Sequence, residues 1–314
     1  MKKLLIIRFS ALGDVAMLVP VVRAFAEEHP ELAITVLSQA RMADLFAQMP
    51  KNVQFCGVEW KRQSLREVAN ELGSFDYVAD VHGVWRSWYI GWRMRLRGAR
   101  VRTIRKGRLA KWLLTHGVIR RPLKHTSERY AQTILDSCLV LFKSYLPLIQ
   151  PLSDDSKKGI GIAPFAAHRG KVYPLERMEE VVAMLSERGE KIVLFGSKAE
   201  NAVLGSWAEK YSNVESLAGQ KSLAEELEMI RGLRVMISMD SANMHLASLV
   251  GTRVVSVWGA THPNAGFLGL GQSESDCVQR AMKCRPCSVY GNKRCKYGDY
   301  RCLDIRPEEI VARV

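Results

Sequence analysis

Two neighbouring residues near the amino terminus, Gly13 and Asp14, could do chemistry at a junction between a strand and a helix. They follow a short apolar run, in the stretch "RFSALGDVAMLVPVV". Asp14 would stand in the first turn of the helix, where backbone N–H groups and the helix dipole favour a carboxylate. Such a carboxylate either caps the helix or accepts the proton of a reacting hydroxyl group. We expect Gly13 to let the backbone turn sharply before it.

The second half of the chain has polar residues directly after three predicted strands. Lys171 follows the first, residues 196–200 follow the second, and Asp240 and Ser241 close the third, just before a helix begins. Because parallel strands present their carboxyl ends at one edge of a sheet, these groups should lie together. A lysine and helix N–H groups bind a diphosphate, and a carboxylate such as Glu200 binds ribose hydroxyls. The sequence therefore predicts a site for a nucleoside diphosphate.

The hydrophobic pattern supplies the strands that must position these residues. Runs rich in Val, Ile and Leu alternate with helical segments, which is typical of parallel sheets covered by helices. No G-x-G-x-x-G fingerprint is present, which disfavours a dinucleotide-dependent oxidoreductase. Helices are predicted over residues 127–145 and 174–188, among others. The predicted strands are residues 3–9, 33–37, 53–58 and 77–81 in the first half and 159–163, 191–195, 214–217, 235–239 and 253–257 in the second.

The length of 314 residues exceeds what one hydrophobic core usually supports, so two doubly wound α/β domains are expected. The stretch "LPLIQPLSDDSKKG" combines prolines with charged residues and predicts the boundary, with domains over residues 1–152 and 153–314. No apolar run approaches the roughly 20 residues of a membrane span, and residues 4–7 are too short for a signal peptide. We therefore expect a cytoplasmic protein.

The net charge of +14 is concentrated in one segment. Residues 86–124 contain thirteen Lys or Arg and no Asp or Glu. A block of this kind attracts phosphate groups of nucleic acid, anionic lipid or a phosphorylated sugar, although a solvated face is an alternative. The aromatic residues interleaved in "VWRSWYIGWRMRLRGARVRTIRKGRLAKWL" favour a surface that lies on a membrane or binds an amphiphile.

Four of the seven cysteines form the pattern C-x2-C-x7-C-x6-C near the carboxyl terminus. Four thiolates in a short loop-rich stretch can form a tetrahedral structural zinc site. The second pair is spaced more widely than in the usual C-x2-C motif, so free thiols or disulfides stay as alternatives. In each case we place this segment outside the active site. The four residues are Cys284, Cys287, Cys295 and Cys302.

Four stretches of the chain, "IRFSALGDVAMLVPVVRA", "GKVYP", "LFGSKAE" and "DSANMHLASLVGTRVVSVWGATHP", resemble glycosyltransferase family 9, the ADP-heptose:lipopolysaccharide heptosyltransferase family. The resemblance runs over most of the chain. It implies a GT-B fold, in which two Rossmann-like domains face across a cleft. The N-terminal domain would bind the acceptor and the C-terminal domain the nucleotide sugar. The implied reaction is inverting, metal-independent transfer of heptose from ADP-heptose to the inner core of lipopolysaccharide, without a catalytic cofactor.

The resemblance also implies roles for single residues. Asp14 matches the general base, Lys171 a lysine that holds the donor phosphates, and Glu200 a ribose-binding carboxylate. Ala242 stands where the family usually has glycine, so either this backbone position needs no positive φ or the diphosphate is held differently. The stretch "PFAAHRGK" lacks hydroxyl residues that some members present to the phosphates. The predicted donor-binding residues are Lys171, Gly196, Ser197, Glu200, Asp240, Ser241, Ala242 and His245; the predicted acceptor-binding residues are Arg8, Ser10, Gly13 and Arg86.

Two alternatives are left open by the sequence. The first is a transferase of the same family that adds another nucleotide sugar to a different surface polysaccharide. The second is a basic nucleic-acid-binding protein with a zinc module, which would not explain the polar residues after the strands. We therefore expect no nucleic acid partner. The expected partners are a nucleotide sugar, ADP-heptose above all, and a lipopolysaccharide core or other anionic glycolipid, reached at the inner face of the cytoplasmic membrane through residues 86–124.

Overall fold

The structure is a computed structural model that describes residues 1–138 and 157–314, and these form two compact α/β units. The first unit contains Met1–Gly107 and residues 126–138. The second contains Arg108–His125 and residues 157–314. The predicted boundary between residues 152 and 153 lies outside the described residues. Nothing in the sequence indicated that Arg108–His125 packs with the second unit.

The first unit is built on a parallel sheet of five strands in the order β3-β2-β1-β4-β5. Residues 4–7 of β1 are completely buried, as expected for a central strand with both faces covered by helices. The sheet order changes direction between β1 and β4. The strands are β1 (Lys2–Ile7), β2 (Leu32–Gln39), β3 (Val53–Val58), β4 (Tyr77–Asp80) and β5 (Arg100–Thr103), and the helices are α1 (Leu12–Glu28), α2 (Leu65–Glu71), α3 (Trp85–Leu96) and α5 (Thr126–Cys138).

The second unit has a parallel sheet of six strands in the order β11-β10-β9-β6-β7-β8, the strand order of a Rossmann fold. Its direction changes between β6 and β9, where ligands bind in folds of this type. The strands are β6 (Ile160–Ala163), β7 (Ile192–Leu194), β8 (Val214–Ser216), β9 (Val235–Met239), β10 (Arg253–Trp258) and β11 (Cys277–Gln279). The helices are α4 (Arg108–Thr115), α6 (Leu175–Glu187), α7 (Asn201–Lys210), α8 (Leu223–Gly232), α9 (Ala242–Leu249) and α10 (Pro307–Val311).

The nine predicted strands are confirmed, with ends within two residues of those observed. The sequence did not predict β5 and β11. Two of the four residues of β5 are arginines and only Val101 is buried, while β11 has three residues, so neither carries a readable apolar run. Both strands lie at sheet edges, where pairing with one neighbour suffices.

The two predicted helices begin where expected. The first starts at Thr126, and the part of it predicted beyond residue 138 lies outside the described residues. The second is α6, with Pro174 as its N-cap residue, and Gly189 follows it with a positive φ of 77°. Among residues 1–138 and 157–314, no helix combines the length and apolar character that a membrane span requires.

The basic segment over residues 86–124 does not form one element. It contains most of α3, the edge strand β5 and the helix α4. Residues up to Gly107 belong to the first unit, and those from Arg108 onward belong to the second. Its role must therefore be argued separately for each unit.

Candidate active site

Arg8 connects the two strand ends at the switch point of the first unit. It follows β1, and its Nη2 lies 2.8 Å from Oδ2 of Asp14 in the first turn of α1. Its Nη1 donates to the carbonyl oxygen of Val81, just beyond β4, at 2.8 Å. The hydroxyl group of Tyr130 in α5 donates to Oδ1 of Asp14 at 3.4 Å. The predicted base is therefore held by a guanidinium group and a phenol.

Asp14 both caps its helix and stays open to solvent. Its Oδ2 accepts a hydrogen bond from the backbone N–H of Ala11 at 3.3 Å, so the capping interpretation holds in part. The side chain of Asp14 is 27% exposed, whereas that of Arg8 is 11% exposed. A carboxylate that is fixed by its partners and still reachable can accept the proton of a bound hydroxyl group.

The expectation of a sharp turn at Gly13 is wrong. The helix α1 already begins at Leu12, so Gly13 is buried in its first turn and does not have a positive φ. Its backbone is helical, so the glycine is not required for a left-handed turn. Ser10 precedes the helix and is half-buried.

His82 is a second polar residue at this switch point, and sequence reasoning missed it. Its Nδ1 accepts a hydrogen bond from the backbone N–H of Phe9 at 3.3 Å. Burial, with a smaller contribution from the nearby Arg8, lowers the pKa of His82 to about 4. The ring is therefore neutral at physiological pH. Its position two residues after β4 was the available signal.

Arg86 is connected to the same region through aromatic rings. Its guanidinium group lies 5.0 Å from the ring centre of Trp60 and 5.2 Å from that of Trp85. The Trp60 ring in turn contacts Phe9 edge-on, with ring centres 4.9 Å apart. Two aromatic rings, those of Trp60 and Phe9, therefore connect Arg86 with the residues that follow β1. The role of Arg86 in acceptor binding stays a prediction.

In the second unit, Lys171 and Asp240 meet at the switch point. Nζ of Lys171, after β6, lies 3.0 Å from Oδ2 of Asp240, after β9. The lysine side chain is 16% exposed and the aspartate side chain is 5% exposed, so the cation is the more accessible member. Because β9, β6 and β7 are neighbours in the sheet, the predicted adjacency of the three strand ends is confirmed.

The start of α9 is arranged as the sequence predicted. Ser241 is its N-cap residue, has extended backbone geometry and makes no side-chain cap hydrogen bond. Ala242 is the first helical residue and does not have a positive φ, so the first alternative for the missing glycine holds. His245 is buried in the same helix. The N–H groups of the first turn therefore have no side-chain cap, an arrangement that suits a phosphate oxygen.

Gly196, Ser197 and Glu200 form a tight turn after β7. Oε2 of Glu200 accepts a hydrogen bond from the backbone N–H of Ser197 at 2.6 Å. A Cβ atom at Gly196 would lie 3.0 Å from the same oxygen and 2.6 Å from Leu204, so a side chain there would disturb the turn. One carboxylate oxygen of Glu200 thus shapes its own loop, and its role in ribose binding stays a prediction.

The carboxyl-terminal tail, which we define as the residues after β11 (280–314), packs against the loop that carries Lys171. The backbone N–H of Ala260 donates to the carbonyl oxygen of Gly170 at 2.8 Å, and that of Cys287 donates to the carbonyl oxygen of Ala260 at 3.1 Å. A Cβ atom at Gly291, where φ is 76°, would lie 2.6 Å from Cγ of Lys171. The tail therefore lies directly against the Lys171 side chain and limits its movement.

All seven cysteines are free thiols. The four late cysteines line one small cavity of about 20 Å³, together with Arg285 and Lys296 among others. Within residues 1–138 and 157–314, no three His, Cys, Asp or Glu side chains are grouped as ligands of one metal ion. The structural zinc site stays a prediction.

A cavity of about 450 Å³ in the second unit was not predicted from the sequence. Segments after β10 and β11 form one side of it, and the loop after α4 forms another. No predicted donor-binding residue lines it. Its charged lining residues are all basic, namely Arg120, Arg280, Lys283 and Arg285.

Two Rossmann-like α/β units in one chain are the architecture of the GT-B class of glycosyltransferase folds. Residues 120–297 match the model of glycosyltransferase family 9 (heptosyltransferase). The chain belongs to this family and is a glycosyltransferase.

Known relatives and solved structures are similar to this protein over nearly the whole chain. Lipopolysaccharide heptosyltransferase 1 of Pseudomonas aeruginosa PAO1 is 25% identical over 350 residues, covering 98% of this chain and 92% of that protein. The solved structure of E. coli heptosyltransferase WaaC with ADP has a TM-score of 0.67 at 18% identity, covering 88% and 92% of the two chains. That of E. coli ADP-heptose lps heptosyltransferase II has a TM-score of 0.69 at 19% identity, covering 100% and 97%.

The lowered pKa of His82 predicts a pH dependence of stability. Between about pH 4 and the ordinary value of 6.5, the unfolded chain binds a proton at this position and the folded chain does not. The free energy of unfolding should therefore fall as the pH falls through this window, by up to about 1.4 kcal/mol per pH unit from this group. We expect His82→Gln to flatten the dependence, measured by urea unfolding at several pH values. Parallel curves for the two proteins would contradict the assignment.

Proposed function

We propose that this protein transfers heptose from ADP-heptose to the inner core of lipopolysaccharide, at the cytoplasmic side of the membrane. The observation that carries the proposal is the ion pair of Lys171 and Asp240 at the switch point of a family 9 glycosyltransferase. The names of similar proteins support the choice of substrates. One was solved with ADP, another is an ADP-heptose lps heptosyltransferase, and a third is a lipopolysaccharide heptosyltransferase.

The second unit would bind the donor. The ammonium group of Lys171 is held in place by Asp240 and stays the more exposed of the two, so it can contact a diphosphate oxygen without losing its partner. The uncapped first turn of α9 adds N–H donors from the neighbouring strand end. As the bond to the sugar breaks, the diphosphate gains negative charge, which these groups would stabilise without a metal ion.

The first unit would activate the acceptor. An acceptor hydroxyl oxygen attacks the anomeric carbon, its proton passes to Asp14, and the bond between that carbon and the diphosphate oxygen breaks. One displacement of this kind inverts the anomeric configuration. Arg8 and Tyr130 fix the carboxylate, so it contributes through positioning as well as through proton affinity.

No catalytic cofactor is part of this proposal. If the four late cysteines bind zinc, the ion would stabilise the tail behind Lys171 and would take no part in the displacement. Because the chain belongs to a glycosyltransferase family, we do not propose the alternative function of a nucleic-acid-binding protein. A different nucleotide sugar is the remaining alternative, and thermal shifts with ADP, UDP and GDP side by side would separate the donors because only the bound nucleotide raises the melting temperature.

Removing the carboxylate of Asp14 should abolish most of the activity. We expect Asp14→Asn to lower turnover at least about a hundredfold, because the acceptor hydroxyl loses its base, while ADP affinity stays within about twofold. The measurement is heptose transfer from ADP-heptose to a heptose-deficient lipopolysaccharide core, with the fold checked by circular dichroism. Asp136→Asn makes the same change on the exposed face of α5 and should leave turnover unaltered. Normal turnover of Asp14→Asn would remove the base assignment.

Removing the ammonium group of Lys171 should weaken nucleotide binding. We expect Lys171→Ala to lower ADP affinity about ten- to a hundredfold, the effect of losing a hydrogen bond to a charged group. Isothermal titration calorimetry with ADP measures it. Lys191→Ala removes an exposed lysine just before β7, at the amino-terminal ends of the strands of the same sheet. This variant should bind ADP as the wild type does. Equal affinities for all three proteins would refute the donor site.

A further inference from the structure

One face of α3 exposes large apolar side chains. Trp85, Trp88, Trp92 and Leu96 expose 63%, 53%, 52% and 65% of their surfaces. They are three, four and four residues apart, which places them on one side of a helix. Of the ten large apolar side chains that are exposed in the described residues, these four lie on α3. Exposed apolar residues normally occur singly, so this concentration indicates a contact surface.

The opposite face of α3 is fixed to the first unit. Ile90 and Met94 are completely buried and belong to its hydrophobic core. A Cβ atom at Gly91 would lie 3.2 Å from Cγ1 of Val101, so the helix backbone packs closely on β5. The inner face of the helix therefore packs on the core. On the outer face the Trp92 ring contacts the partly buried Tyr89, with ring centres 6.0 Å apart, and none of the three tryptophans belongs to the hydrophobic core.

The part of the chain that contains α3 is positively charged. Eight of the thirteen basic residues of the segment, from Arg86 to Lys106, belong to the first unit, and no acidic residue lies among them. Arg86 lies over the ring of Trp85. Arg95 is exposed, and no hydrogen bond or ion pair from its side chain to another described residue is present. Indole rings beside guanidinium groups are typical of helices that lie at the headgroup level of an anionic membrane.

We propose that the outer face of α3 docks the first unit on an anionic phospholipid bilayer. The tryptophans would enter the interfacial region, and the arginines would pair with lipid phosphates. A second copy of this chain is a poorer occupant, because it would bring two basic segments together. A membrane offers both the apolar depth and the negative charge that the surface requires. The proposal does not depend on the donor or acceptor assigned above.

Vesicle sedimentation with the full chain tests the proposal. We expect the protein to bind phosphatidylcholine vesicles that contain about 30% phosphatidylglycerol, and to bind weakly to phosphatidylcholine alone or in high salt. The double substitution Trp88→Gln and Trp92→Gln should lower the partition coefficient at least about tenfold, because two interfacial side chains are lost. Arg95→Gln should lower it about fivefold.

Two control variants remove similar groups elsewhere. Tyr297→Gln removes an aromatic ring of comparable exposure from the second unit, and Lys51→Gln removes an exposed charge from the first. Both should bind vesicles as the wild type does. Equal binding by the double tryptophan variant, with circular dichroism showing that it is folded, would overturn the proposal. So would binding that requires a glycolipid in the vesicles, or a dimer in solution that the tryptophan substitutions dissociate.

Discussion

Parallel strand pairing at the two switch points determines where the chemistry of this protein can occur. The first strand of each sheet, β1 or β6, lies between two neighbouring strands. The chain forms the neighbour on one side of it first and the neighbour on the other side later. The loops after the two central strands therefore leave in opposite directions and open a space at the carboxyl edge. Arg8 spans this space in the first unit, where it contacts both Asp14 and Val81. The pair of Lys171 and Asp240 spans it in the second.

The two ion pairs present opposite charges to a ligand. Buried ions need partners, because removing a charge from water costs several kcal/mol. In the first unit the cation is the more buried member and the carboxylate is accessible; in the second the carboxylate is buried and the cation is accessible. The first site therefore offers a proton acceptor and the second a positive charge for a phosphate. This division matches the two requirements of glycosyl transfer from a nucleotide sugar, since a hydroxyl must lose a proton and a diphosphate must leave.

The sequence predicted the central strands and the residues after them, because buried parallel strands are continuous apolar runs and the chemistry follows at their ends. It did not predict the edge strand β5, whose residues are mostly polar. It also missed Tyr130 and His82, because their contacts with Asp14 and Phe9 join residues more than 70 positions apart. The predicted backbone conformation of Gly13 was wrong. A glycine before an acidic residue occurs both in sharp loop turns and within the first turn of a helix, and the sequence does not distinguish the two.

The tail illustrates the same limit. Its cysteine spacing was readable, but its contact with Lys171 through Gly291 depends on packing that no local pattern records. Conversely, the outer face of α3 was readable as aromatic and basic, but only the structure shows that its tryptophans have no place in the core.

Hydrogen exchange with and without ADP tests the central claim most directly, because it reports which backbone amides the nucleotide protects. We predict slower exchange in peptides that cover residues 168–172 and the start of α9, on either side of the β6 and β9 switch point. Protection confined to the cavity near Arg120 and Lys283, or to the first unit around Asp14, would contradict the account.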